Sequence, residues 1–535
     1  MKNFSILSFS LLFFTCSSSS LSAASLAVGI PGETPAGNPD GGAVTVLSNM
    51  SEGVAGVEDQ LWYKGYAGIP GTPASGESFG RSLATGDFNG DGRADLAIGD
   101  SQEDVDGKTA AGAVYILYAD SRGVLQGTGS QRWHQDIASF PSEAFANEWF
   151  GYALAAGDFN NDGYDDLAIA VPRNYYPPPT ALADAGGVNI IYGSPQGLGI
   201  EGIPAPQILS QGDWGLDGTV EAGDQFGRSL ATGDINGDGF DDLAIGTPLE
   251  NYIGMSSAVI HAGGVSVIYG SQGGLDASGN SIDDQWLSQD PAGSGDEKEN
   301  NDVFGESLSI ADYNGDGFDD LAIGAPGEDS GAGLVHILSG SQAGVIVGYG
   351  AAKLLSQGVD GILDEKSDGD SFGTVLASGD FNKDGFADLA VGAPYENFST
   401  TDDGAVHVIY GSGSGIQASN DEFFHQDSLG IPGSSETYDN FGLSLATGDL
   451  NDDGYDDLAI GVPREDLGVI SGVGAVILLH GSANGMTPDT THWYQNNSTI
   501  MDSGEESDLF GFSLAILPTP PKPFPWPMFL PAMVK

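Results

Sequence analysis

Seven Phe-Gly pairs punctuate the chain, at Phe79, Phe150, Phe226, Phe304, Phe372, Phe441 and Phe510, separated by 71, 76, 78, 68, 69 and 69 residues. Self-similarity at so long a period means one supersecondary unit copied many times, each copy burying its apolar surface against its neighbours. Each pair opens a segment such as FGRSLATGDFNGDGRADLAIG (79–99) or FGLSLATGDLNDDGYDDLAIG (441–461). A further apolar run follows, GAVYILY in one copy and GAVILLHG in another, and then a run that usually carries an aromatic and a glutamine, as in RWHQD or EFFHQD. Every unit therefore offers four short apolar strands, too short and too β-branched for helices and bounded by turn residues. Such units suit an all-β fold, a seven-bladed β-propeller of four-stranded antiparallel blades, in preference to a linear β-solenoid with its much shorter coils.

The two ends fit ring closure. The last Phe-Gly strand, FGFSLAIL (510–517), runs into Pro518 where the other copies have an aspartate, and SLAVGIPGE (25–33), GAVTVL and QLWYKG match a second, third and fourth strand. One blade is thus expected to take its first strand from the C-terminal end and three from the N-terminal end, hiding both in a sheet. The propeller is expected to span residues 25–517. Residues 1–24 read as a secretory signal: Lys2, the apolar stretch Phe4 to Phe14 and the small residues Ser22-Ala23-Ala24. Cys16, the one cysteine, has the alternative reading of a lipid-anchored residue, which Phe13 and Thr15 fit poorly. Cleavage after Ala24 would leave no cysteine, so the blades need a staple other than disulfides. Residues 518–535 hold seven prolines and read as a Pro-rich tail. No stretch after the signal is long and apolar enough for a membrane span.

Eight residues after six of the seven phenylalanines begins D-x-N-x-D-G-x-x-D. Position 1 is Asp87, Asp158, Asp234, Asp312, Asp380 or Asp449, and position 3 is Asn89, Asn160, Asn236, Asn314, Asn382 or Asn451. Position 5 is Asp91, Asp162, Asp238, Asp316, Asp384 or Asp453, and position 9 is Asp95, Asp166, Asp242, Asp320, Asp388 or Asp457. Three carboxylates and an amide oxygen at fixed spacing suit a hard cation with many oxygen ligands, calcium before magnesium, about six ions in all. Position 7 would add a backbone carbonyl, from Arg93, Tyr164, Phe240, Phe318, Phe386 or Tyr455. Position 6 is always glycine, which permits the sharp turn. Position 12 is Ile or Val rather than the bidentate Glu of an EF-hand, so each loop joins two strands. The plain alternative is a polar hairpin turn that binds nothing, but six such turns would each crowd three unneutralised carboxylates. Alternation from position 9 points position 8 (Asp165, Asp241, Asp319, Asp456) away from the ion.

The Phe-Gly strand, the nine-residue acidic loop and a Gly-x-Pro element (Gly246-Thr247-Pro248, Gly324-Ala325-Pro326, Gly392-Ala393-Pro394, Gly461-Val462-Pro463) together resemble the FG-GAP repeat family. That family includes the seven-bladed head of integrin α subunits. The resemblance covers essentially residues 25–517 and implies calcium at the loop residues just named. It also implies an extracellular ligand-binding or cell-adhesion role. Six loops of this type look more like secreted microbial relatives than like integrin heads, which have fewer.

Catalytic signals are thin. Two strings match the G-x-S-x-G elbow, around Ser78 and Ser371, but no helix follows either, as that elbow requires. His336 and His407 occupy the strand position of Tyr115, the other histidines are scattered, and none forms a zinc-ligand pair. The expected role is a secreted or cell-surface binding module; a glycan-binding lectin-like protein and a secreted hydrolase are the alternatives. In an up-and-down blade the acidic loops all lie on one face, and the longer variable loops collect on the other. Two of those carry aromatic or thioether side chains suited to anchoring an extracellular protein or glycan: Tyr175 and Tyr176 in 172–186, Tyr252 and Met255 in 247–263.

Net charge agrees. Sixteen Lys+Arg against 75 Asp+Glu give −59, a field that repels nucleic acid and anionic lipid. Three acids in each of six loops account for 18 of the 75, so cations explain where acids cluster but not the whole surplus.

Overall fold

The computed structural model describes residues 24–48, 59–137, 140, 143–175, 182–199, 204–212, 216, 219–253, 258–275, 284–289, 296–348, 350–489, 491, 493–495 and 503–519. Residues 1–23, read above as most of a signal, residues 520–535 of the expected tail, Tyr176 and Met255 lie outside these residues.

Short runs of Val, Ile, Leu and Ala form strands because branched side chains pack well on a pleated surface, and Gly- and Asp-rich turns end them. Seven four-stranded antiparallel sheets result, the strands of each lying side by side in chain order. The first Phe-Gly unit, for example, gives Ser82–Gly86, Asp95–Asp100, Ala113–Ala119 and Leu125–Trp133. The seventh sheet joins Ser513–Leu517 to Ser25–Ile30, followed by Ala43–Leu47 and Gln60–Trp62. Leu26 pairs with Ile516 and Val28 with Leu514, so the ring closes as expected from the split unit. The first strands of successive sheets touch one another all the way round, and the molecule is a seven-bladed propeller.

The second strand of each blade explains how blades stack. Asp95–Asp100 is buried at every position. Leu96 and Ile98 pack toward the preceding blade, with Val44, Trp62 and Phe79, while Ala97 faces Phe150, Leu167 and Ile169 of the next. Large side chains on one face thus meet small ones on the other, and a period-2 sequence builds a continuous core around the ring. Each fully buried Leu or Ile contributes about 1.5–3 kcal/mol.

The Phe-Gly phenylalanines are wholly buried. Their backbone docks on the glycine that opens the third strand of the preceding blade, as Phe79 does on Gly42. Gly42 has φ 74, and a Cβ there would lie 2.3 Å from the Phe79 carbonyl oxygen, which is why that strand begins with glycine. A hydroxyl ladder reinforces the inner ring. Ser82, Ser229, Ser307 and Ser444 each donate to the Phe-Gly glycine carbonyl of the next blade. Ser513 closes the circle by donating to Gly80.

Candidate metal loops and the opposite face

Each acidic loop connects the first and second strands of its blade, so all six lie on one face. The position-1 aspartate organises the turn: the Asp87 carboxylate accepts from the backbone N–H of Asp91 and Gly92, at 2.9 and 2.7 Å. Asp158, Asp234, Asp312, Asp380 and Asp449 do the same in their loops. The position-3 asparagine oxygen accepts from the position-5 N–H, as Asn314 does from Asp316 at 2.9 Å. Position 5 accepts from position 7 in the later loops, for example Asp316 from Phe318. Gly92 has φ 80, with open space where a Cβ would stand, so the left-handed backbone, not crowding, demands glycine there.

The position-9 aspartates are the deepest. Asp166 accepts from the N–H groups of Phe159 and Gly193 and so ties the loop to the end of the third strand. Asp242 and Asp388 repeat this. Burial pushes the carboxyls of Asp95, Asp166 and Asp242 up to about 8, and the carboxylates at positions 1 and 5 push the same way. Asp388 is raised to about 7 and Asp320 to about 6 for the same reasons. Burial first, and the neighbouring loop acids second, thus disfavour the charge of the position-9 carboxylate, and a hard dication is the counter-charge this oxygen set fits. Loaded loops would present the side-chain oxygens of positions 1, 3, 5 and 9. Arg93 makes an ion pair with Asp91 at 3.4 Å, the one basic position-7 residue among the loops.

Position 8 does point away from its own loop, and the structure shows where it goes. Asp165 accepts from the backbone N–H of Asp87 in the preceding blade, at 2.6 Å. Asp241, Asp319 and Asp456 hold Asp158, Asp234 and Asp380 likewise, at 2.8, 2.9 and 2.9 Å. These residues latch one loop to the next, a role that alternation within a single strand could not reveal. Ala94 needs no such carboxylate, because the blade before it has no acidic loop.

The opposite face carries the loops between second and third strands and the links between blades. Tyr175 is half-buried with its ring against Phe145, centroids 5.6 Å apart. Tyr252 is half-buried too, donating to the Gly263 carbonyl, with the Lys298 ammonium 4.3 Å from its ring centroid. More exposed apolar groups share this end of the propeller. Among the described residues every exposed large hydrophobic side chain except Ile346 and Val347 lies on this face, including Tyr66, Leu363, Phe398 and Tyr438. Leu429 and Val469 are 99% and 100% exposed. Single sequence positions give no sign of this bias, which emerges only when links and loops are sorted by blade end.

His336 and His407 sit buried against Phe304 and Phe372, as Tyr115 sits against Phe79. The Ser371 hydroxyl donates to the Gly369 carbonyl, and the Ser78 backbone N–H to Asp100. No described helix is long and apolar enough to cross a membrane.

Six stretches, residues 79–117, 150–191, 226–268, 304–338, 372–409 and 441–479, match the FG-GAP repeat. Integrin alpha-V of Gallus gallus is 29% identical over 270 residues, 49% of this chain and 22% of that protein. Integrin alpha-3 of Cricetulus griseus is 35% identical over 164 residues, 30% of this chain and 14% of that protein. The phosphatidylinositol-glycan-specific phospholipase D of Bos taurus is 36% identical over 206 residues, 37% of this chain and 20% of that protein. The matched stretches span less than a quarter of the length of these relatives.

Proposed function

The chain belongs to the FG-GAP repeat family and its propeller is integrin α-like, and from that premise we propose that it is a secreted or cell-surface, calcium-binding ligand-capture module. Calcium in the six loops stiffens one face, and an extracellular protein docks on the other. The observation that carries this reading is the segregation of exposed apolar side chains onto the face away from the acidic loops. Rigid scaffolds with exposed aromatic and aliphatic anchors are what binding surfaces use.

The test is capture of extracellular-matrix proteins by the immobilised full chain, beside a glycan array, in calcium and in chelator. Protein capture that needs calcium and falls at least tenfold in Leu429→Asp/Val469→Asp supports the proposal. Capture unchanged in that variant removes this face from the account, and binding confined to the glycan array favours a lectin. The phospholipase relative makes hydrolysis the second reading; turnover of a phosphatidylinositol-glycan substrate by the purified chain would establish it.

A further inference from the structure

A second repeated polar constellation lies where blades meet, at the end of the propeller away from the acidic loops. A residue just past the fourth strand reaches the glutamate that follows Gly-x-Pro in the next blade. Gln211 donates to Glu250, Gln289 to Glu328, Gln357 to Glu396 and Gln426 to Glu465, each across a sequence separation of 39. Gln495 donates to Glu33 across the ring closure. Beside each glutamate sits a buried aspartate two residues before the Phe-Gly phenylalanine: Asp224, Asp302, Asp370, Asp439 or Asp508.

At one junction the glutamine is a lysine. Lys64, 1% exposed, places its ammonium against Glu77, 2.8 Å from Asp100 and 3.8 Å from Glu103. Glu77 holds the sequence position of the buried aspartate, and Glu103 that of the glutamate. At this junction a cation therefore sits among the acids, although Asp100 is a carboxylate the corresponding positions Ile30, Thr247, Ala325, Ala393 and Val462 lack, and Glu103 also pairs with Arg132 at 2.7 Å. Elsewhere a neutral amide replaces the ammonium, and Glu221, Glu299, Glu436 and Glu505 add a third acid five residues before the phenylalanine. At three of these junctions the acids converge. The carboxylates of Glu299, Asp302 and Glu328, of Glu436, Asp439 and Glu465, and of Glu33, Glu505 and Asp508 come within 4.8 Å of one another. In each set two acids are buried and one is exposed, leaving a way in from solvent.

The glutamine supplies the second observation. Gln289, Gln426 and Gln495 are at most 1% exposed, and the Oε1 of each is buried without a hydrogen-bond partner, as it is in Gln211 and Gln357; among the described residues, only at the first three junctions do three carboxylates also converge. An orphaned amide oxygen is costly unless something accepts its lone pairs. With three carboxylates at the same junction, a cation is the group that would suit both.

We propose that the junctions Gln289/Glu299/Asp302/Glu328, Gln426/Glu436/Asp439/Glu465 and Gln495/Glu33/Glu505/Asp508 each bind a hard divalent cation, calcium by the donor set, clamping adjacent blades where Lys64 does so with its own charge. Carboxylate and amide oxygens are the ligands such ions take, and water completes the shell on the open side. These sites are separate from the D-x-N-x-D-G loops and do not depend on them.

Calcium bound per full-length chain, measured by native mass spectrometry with a calcium titration, tests the assignment. Gln289→Lys, which copies the Lys64 junction, is expected to remove one ion while holding the unfolding midpoint in chelator at or above the parent's. Glu436→Gln, at an exposed acid of a different junction, is expected to weaken one site at least tenfold without loss of fold. Asp316→Asn reports separately on an acidic loop, so failure of the loops and failure of the junctions give different patterns. An ion count and affinities unchanged in both Gln289→Lys and Glu436→Gln would overturn the proposal and leave the clusters as acids sharing protons.

Discussion

Truncating Asp241 isolates the latch between neighbouring acidic loops. Its carboxylate accepts the Asp158 N–H at 2.8 Å, and its own N–H donates to the Asp158 carbonyl at 3.2 Å, so only the first bond depends on the side chain. A hydrogen bond to a charged group contributes about 1.5–3 kcal/mol and a neutral one about 0.5–1.5. Burial, with Asp165, Asp158 and Asp234 close by, raises the Asp241 carboxyl, so holding the charge offsets part of that gain. In calcium, an ion bound in the loop would cancel the repulsion. There Asp241→Ala should cost about 2 kcal/mol and Asp241→Asn, which keeps an acceptor, about 1. In chelator the order should change: Asn should match or exceed the parent, because it keeps the bond without the buried charge. The mirror experiment is Ala387→Asp, which supplies the latch missing beside the Asp312 loop, where the Ala387 N–H already reaches the Asp312 carbonyl at 3.0 Å. It should stabilise in calcium and destabilise in chelator. Urea unfolding under both conditions reads all four proteins. Equal losses for Asn and Ala, with no dependence on calcium, would refute the electrostatic reasoning and leave only a packing role.

Other perturbations follow from the same geometry. Lys64→Ala leaves Glu77, Asp100 and Glu103 buried without their ammonium, and loss of one partner of a buried pair costs about 3–5 kcal/mol; an unfolding midpoint equal to the parent's would contradict the pairing. Gly92→Ala meets no atom but must keep φ 80, so it should lose about 1–2 kcal/mol, read by denaturant titration. Burial raises Asp224 to about 7, Glu250 to about 8, Asp370 to about 6 and Glu396 to about 7. The folded chain therefore holds protons that the unfolded chain releases at about pH 4. Their contribution is complete below about pH 4 and is lost as pH rises toward about 8, so in chelator the unfolding midpoint should fall between those limits, less steeply in Glu250→Gln. A midpoint that rises with pH there would reverse the assignment.

Much of the fold was legible because period-2 strands, Phe-Gly spacing and the split unit leave few ways to arrange seven equal blades. Val28 against Leu514 and Ser513 against Gly80 are the closure that the unmatched FGFSLAIL implied. The acidic loops were legible because glycine and oxygen positions recur within a single turn. What escaped were relations between blades. Asp241 reads correctly as facing away from its own loop, yet its destination is set by the neighbouring sheet. Likewise Lys64 and Gln289 look like ordinary strand-end residues until the next blade brings Glu103 and Glu328 beside them. Tyr252 reads as an exposed anchor because its sequence shows neither the Gly263 carbonyl nor Lys298 packed on it.

The central claim is that divalent cations hold this propeller's acidic loops together, and the unfolding free energy of the full chain with and without calcium tests it most directly. A site occupied at about 100 times its Kd adds about 2.7 kcal/mol, so six loops together add about 16 kcal/mol to a single-step unfolding. The account predicts a gain of that order in calcium, abolished by chelator and reduced stepwise as Asp87, Asp234 and Asp316 are replaced by Asn. An unfolding free energy identical in calcium and chelator would contradict it.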